Sequence, residues 1–96
     1  MEPPDDVRQQ VIDALGGVVD PEIGLDIVSL QLVYEVEVRD DEVDVTFTLT
    51  TPGCPMEHII SDGIRRAALQ VPGIHYVNPI LVWEPRWNPA QVEGLL

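Results

Sequence analysis

VDVTFTLTTPGCPMEH, residues 43–58, contains a change of period that decides the fold. Val43, Val45, Phe47 and Leu49 alternate with Asp44, Thr46, Thr48 and Thr50, the period of two of a strand with one greasy and one polar face. From about Pro55 to Gln70 the period becomes helical. Ile60, Ile64, Ala67 and Val71 make a stripe, with Met56, Gly63 and Ala68 beside it. Between strand and helix lie a tight turn, Thr51-Pro52-Gly53, and the only cysteine, Cys54. Proline is favoured at the first helical position, so Pro55 puts Cys54 at or near the N-cap. A thiol there meets unbonded backbone N–H groups and the positive end of the helix dipole, and both favour the thiolate. The alternative is a free cysteine acting as a small buried apolar residue.

Working upstream, Leu32, Tyr34, Val36 and Val38 alternate with Val33, Glu35, Glu37 and Arg39, and Asp40-Asp41 reads as a turn. The two alternating runs therefore form an antiparallel hairpin whose greasy face needs a cover. Val7, Val11, Ala14 and Leu15 lie on one helical face, so a first helix is expected over about residues 5–15, stopped by Gly16-Gly17. The segment 18–30, broken by Pro21 and Gly24, fits neither a long helix nor a long strand. Ile23, Leu25, Ile27, Val28 and Leu30 require it to pack on the core, and it carries Asp20, Glu22 and Asp26. Downstream, Pro72-Gly73 ends the second helix and a third strand runs roughly from Ile74 to Trp83, with Val77, Leu81 and Trp83 on one face. Pro79 cannot donate to a ladder and marks an edge strand. An extended tail carries Trp83 and Trp87, and residues 90–96 fit a helical turn. The expected fold is an α/β (α+β) two-layer sandwich in the order α-β-β-α-β. It has a small three-stranded mixed sheet with two helices on one face, formed by one domain over residues 1–96.

Composition narrows the partners. Five arginines and no lysine stand against seventeen acidic residues, a net charge of −12. Such a surface repels nucleic acid and anionic membranes and suits basic proteins or metal cations. One cysteine allows no internal disulfide and no one-chain Cys-rich metal site, and a free thiol suits a reducing cytoplasm. No basic segment with an apolar core opens the sequence, and no apolar run approaches the roughly 20 residues of a membrane span.

Four constellations could carry chemistry. In the hairpin, the start of the first strand lies beside the end of the second, which brings the Asp20–Asp26 loop toward Cys54. A thiolate with carboxylates nearby can ligate a metal or share in a cluster. With one sulfur per chain, a cluster needs a second chain, an added thiol such as glutathione, or a partner's cysteines. Cys54 and His58 are spaced to share a helix face. A Cys–His hydrolase would require His58 or His75 to activate the thiol and a third group to orient it. The two tryptophans either close one end of the core as a clasp or face a partner.

The runs VDPEIGLDIVSLQLVYEVEV, VDVTFTLTTPGCP and VPGIHYVNPILVWEPRWNP, in this order, resemble the SufT/PaaD-like iron–sulfur cluster assembly family, whose domain also occurs in the eukaryotic cytosolic iron–sulfur targeting factor. The resemblance implies a role in maturing or delivering iron–sulfur clusters and no enzymatic turnover of a metabolite. It implies that Cys54 is a cluster or iron ligand, or a thiol contact to a partner. Asp20, Pro21 and Glu22 match the family's acidic loop, and Thr50 and Thr51 its threonines, placed to hydrogen-bond around the sulfur. Two departures stand out. Leu30-Gln31-Leu32 replaces the family's Leu-Gly-Leu, and the extra C-terminal cysteines of the PaaD branch are lacking. His58 matches no family motif. The expectation is a cytoplasmic factor that carries or helps to insert clusters into client proteins through Cys54. It would hold an iron–sulfur cluster or iron transiently and work as a homodimer or with the assembly machinery and client apoproteins. The rival is a metal-free adaptor that docks clients to that machinery.

Overall fold

The hairpin is the centre of the fold. In the computed structural model, which describes residues 4–50 and 56–88, β1 (Val33–Arg39) and β2 (Glu42–Phe47) pair antiparallel, with Val36 opposite Val45 and Val38 opposite Val43. Asp40 makes the turn at φ 53°, a left-handed conformation that aspartate tolerates better than most residues. The register shifts between Val33 and Glu35, so Tyr34 has no partner across the ladder and the expected alternation breaks there. β3 (Tyr76–Leu81) joins β2 in parallel and gives the sheet order β1-β2-β3. The sheet is mixed, as expected, and β3 with Pro79 lies at its edge.

α1 (Pro4–Leu15) packs against β1 and α2 (Met56–Leu69) against β3, and the two helices touch each other. Val11 and Leu15 of α1, Ile60, Ile64 and Ala68 of α2, and Val43, Val45 and Phe47 of β2 are buried together. Ala68 is the fully buried alanine of α2, and Ala67 is only half-buried, a rotation of the stripe by one position. The helices leave the other sheet face open, with polar side chains along β2 and the exposed Tyr76 and Ile80 of β3. There Arg39 reaches Asp44 at 2.7 Å, and the Asn78 amide donates to Glu42 at 2.6 Å and Asp44 at 3.0 Å.

The segment between α1 and β1 packs on the core as its composition requires, with Ile27, Leu30 and Leu32 fully buried. Leu25 departs from that expectation and is exposed. Its carbonyl accepts the Asp20 N–H at 2.9 Å at the neck of a tight loop, and the rung leaves the side chain outside. Trp83 lies beyond the last residue of β3 and is 40% exposed, whereas Val77 and Leu81 turn inward. The turn expected at Thr51-Pro52-Gly53, the N-cap position of Cys54 and the helical turn at 90–96 lie outside the described residues.

Candidate functional site

The acidic loop is built on Asp20. A bridge between Val19 and Asp26, with the Ile27 N–H donating to the Val18 carbonyl at 2.9 Å, closes its neck. Inside, the Asp20 carbonyl accepts the N–H groups of Ile23 at 3.2 Å and Gly24 at 2.7 Å, and its carboxylate accepts the Glu22 N–H at 2.9 Å. Gly24 takes φ 82°, which a side chain would strain. Asp20 is only 2% exposed, so its carboxylate organises the loop from within, while the Glu22 side chain is presented outside. Asp26 caps the following turn by accepting the Val28 and Ser29 N–H groups at 3.1 and 3.0 Å. Burial opposes its ionisation. The Ser29 hydroxyl and the nearby backbone N–H groups outweigh that and hold its carboxyl below the ordinary range.

The loop is seated on α2 by Gly63. A Cβ built there would stand 2.9 Å from Val18 Cγ1, so only glycine lets the loop approach this closely. Farther along, just before β1, the Leu32 carbonyl accepts the Thr48 N–H at 2.8 Å and extends the ladder past the end of β2. Hairpin geometry thus brings the start of β1 beside the end of β2, as the sequence indicated.

The tryptophan tail is a clasp over that end of the sheet. The Val82 N–H donates to the Phe47 carbonyl at 2.9 Å, the Tyr34 hydroxyl to the Pro85 carbonyl at 2.6 Å, and Trp87 Nε1 to the Leu30 carbonyl at 2.7 Å. Burial, opposed by the neighbouring Thr48 hydroxyl and reinforced by the Glu84 carboxylate, pushes the Tyr34 phenol above its usual range. Between the tail and the end of β2 lies a cleft of about 300 Å³, lined by Thr48, Thr50, Trp83, Glu84, Arg86 and Trp87 among others.

Of the residues expected at the site, Asp20, Glu22 and Thr50 are described; Thr51 and Cys54 lie outside the described residues. Thr50 is half-buried and lines the cleft. His58 is exposed on α2. His75 stands at the opposite end of β2 from Thr50, with its N–H donating to the Asp41 carbonyl at 2.8 Å. Along β2 that is a separation of about 20 Å, so the fold does not bring His75 to Thr50. Among the described residues, no group of three or more His, Cys, Asp or Glu could hold a metal ion. Thr48 and the tail residues Glu84 and Arg86 were not legible as site residues. Alternation assigns Thr48 to the polar face, yet it is 1% exposed because the tail packs over it. Strand period carries no signal of that cover.

The chain matches the family described as iron–sulfur cluster assembly protein over residues 8–78. It is 40% identical over 83 residues to the Fe-S protein maturation auxiliary factor YitW of Bacillus subtilis, covering 85% of this chain and 81% of that one. It is 45% identical over 72 residues to the Fe-S protein maturation auxiliary factor SufT of Staphylococcus aureus, covering 74% of this chain and 82% of that one. Among solved structures, a domain of unknown function from Bacillus anthracis superposes with a TM-score of 0.88 at 30% identity, covering 96% of this chain and 89% of that one.

Proposed function

This chain belongs to the iron–sulfur cluster assembly protein family, and we propose that it matures client proteins by carrying or helping to insert clusters through Cys54. Its relatives at 40% and 45% identity are named Fe-S protein maturation auxiliary factors, which supports the assembly role. The observation that carries the residue assignment is the TTPGCP run, residues 50–55. It sets the only thiol of the chain between the end of β2 and the start of α2. A thiol just before a helix has the positive end of the dipole to stabilise its thiolate, the form that ligates iron. The cluster is cargo, and the assembly machinery and client apoproteins are the partners.

Asp20 shapes the acidic loop, Glu22 is the carboxylate that the loop presents, and Thr50 with Thr51 hydrogen-bonds around the sulfur. The factor works in a reducing cytoplasm, without turnover of a metabolite, and a homodimer brings two Cys54 thiolates to one cluster. No described helix is long and apolar enough to cross a membrane.

The test is anaerobic reconstitution with ferrous iron and sulfide, read by visible absorption, on the wild type and Cys54→Ser side by side. Client maturation by both proteins is followed in parallel. Charge-transfer bands that depend on Cys54, with loss of maturation in the variant, are expected. Full maturation by Cys54→Ser would refute the assignment. Absence of bands in either protein would favour the metal-free adaptor.

A further inference from the structure

The helices cover one face of the sheet, and the two halves of the sheet treat the open face differently. In the antiparallel half, the outward side chains from Glu35 to Arg39 and along β2 are polar, the alternation of a solvated face. β3 pairs with β2 in parallel, and parallel strands are mostly covered on both faces. Its inward residues, Val77 and Leu81, already pack on the core. Its outward Tyr76 is nonetheless 62% exposed and its outward Ile80 40%. An aromatic and a β-branched side chain on this half of the face stand uncovered, where a solvated strand carries polar residues.

Charge decides what fits over them. The ladder register puts Glu35, Thr46 and Ile80 in one row and Glu37, Asp44 and Asn78 in the next. Arg39 is held by Asp44 at 2.7 Å and Glu42 at 3.4 Å, and the Asn78 amide donates to the same two carboxylates. Glu35 and Glu37 are exposed and make no ion pair among the described residues. A second copy of this chain stacked face to face would set carboxylate against carboxylate, and the net charge of −12 opposes it further. A basic partner meets the opposite field.

The spacings match a helix. Tyr76 and Ile80 span about 13 Å along β3, a little over two helical turns. Glu35 and Glu37 lie two strand spacings away, about 10 Å, which is the width of a helix. They stand about 7 Å apart along β1, close to the roughly 6 Å rise between positions i and i+4 of a helix. We infer that the open face of the sheet docks a basic amphipathic helix of a partner protein, with Tyr76 and Ile80 as apolar anchors and Glu35 and Glu37 as charge contacts. An aromatic anchor beside a polar rim is the usual anatomy of such a contact. The inference goes beyond the cluster-carrying reading and needs neither Cys54 nor a cluster.

The probe is a synthetic helical peptide of about 15 residues, with a leucine stripe flanked by lysines at i and i+4. A control peptide keeps the stripe and carries glutamine in place of lysine. Each is titrated into the metal-free protein, and NMR shifts are followed at residues 35–37, 46 and 76–80 and on both helices. Saturable shifts on the sheet face, and not on α1 or α2, are expected with the lysine peptide. Glu35→Gln together with Glu37→Gln should weaken that peptide about fivefold and leave the glutamine peptide unchanged. Asp6→Asn together with Glu57→Gln, at exposed helix positions, removes the same charge and should change affinity by less than about twofold. Tyr76→Ala, at an exposed position that leaves the core intact, should weaken both peptides about tenfold. No saturable binding of the lysine peptide, shifts spread equally over the helices, or equal losses from the two neutralised pairs would overturn the inference. Binding is read without metal, so its failure leaves the Cys54 reading standing, and absent reconstitution bands leave the docking face standing.

Discussion

Gln31 takes φ 58°, the left-handed region, on the turn that leads from Val28 into β1. An L-residue with a Cβ pays about 1–2 kcal/mol for that conformation. Glycine avoids the clash but loses about 0.5–1 kcal/mol through the greater freedom of its unfolded backbone. The difference favours Gln31→Gly by roughly 0.5–1 kcal/mol. Gln31 also makes a contact of its own, which any truncation removes. Gln31→Ala is therefore the proper reference, because it loses the same contact and keeps the strain. Gln31→Gly should exceed Gln31→Ala in stability by the same roughly 0.5–1 kcal/mol, read as a melting temperature about 2–8 °C higher in a domain of this size. Urea unfolding with unchanged m-values would confirm that the difference lies in the folded backbone. A glycine variant no more stable than the alanine variant would refute the strain argument. It would also remove the physical reason for reading the family's Leu-Gly-Leu as a conformational requirement.

Gly63→Ala sets a gain of about 1 kcal/mol in helix propensity against overpacking of about 1–3 kcal/mol on Val18, so it should destabilise by about 1 kcal/mol. In a Val18→Ala background the same change should become stabilising, a reversal of sign that denaturant titration of the four proteins would detect. Asp26→Asn should cost about 1 kcal/mol near neutral pH, because a charged acceptor for the Val28 and Ser29 N–H groups is weakened. The folded carboxyl titrates below its unfolded counterpart, so its stabilisation is present above the unfolded value near 3.9 and is lost as pH falls through the folded one. Wild-type and variant melting temperatures should accordingly converge in acid. Trp87→Phe removes the donor to the Leu30 carbonyl and should cost about 1–2 kcal/mol; hydrogen exchange should rise first in the tail and at residues 27–32. An unchanged exchange pattern would show that the clasp does not hold the tail.

Periodicity was enough for the element order. The strands of residues 33–47 and the two helices lie where alternation and helical spacing put them. Each element carries its own buried stripe, and the stripe is a local property of the sequence. Pro79 gave the edge position of β3 through its missing N–H. The acidic loop was legible as an ordered, packed segment, but the roles of its carboxylates were not. Asp20 differs from Glu22 because its backbone neighbours fold around it, and composition does not report which of two acids a loop encloses. The strain at Gln31 shows in the sequence only as a departure from the family pattern; the positive φ that explains it is a property of the folded turn.

The sequence by itself determined the helices, the hairpin and the single thiol at the join of strand and helix, because spacing and chemistry are written residue by residue. Tertiary structure alone decided that Gly63 admits Val18, that the tail lies over Thr48, and that a cleft opens beside Thr50. Those facts depend on contacts between residues 30–50 positions apart, and no local period encodes which distant segment covers an otherwise polar strand face.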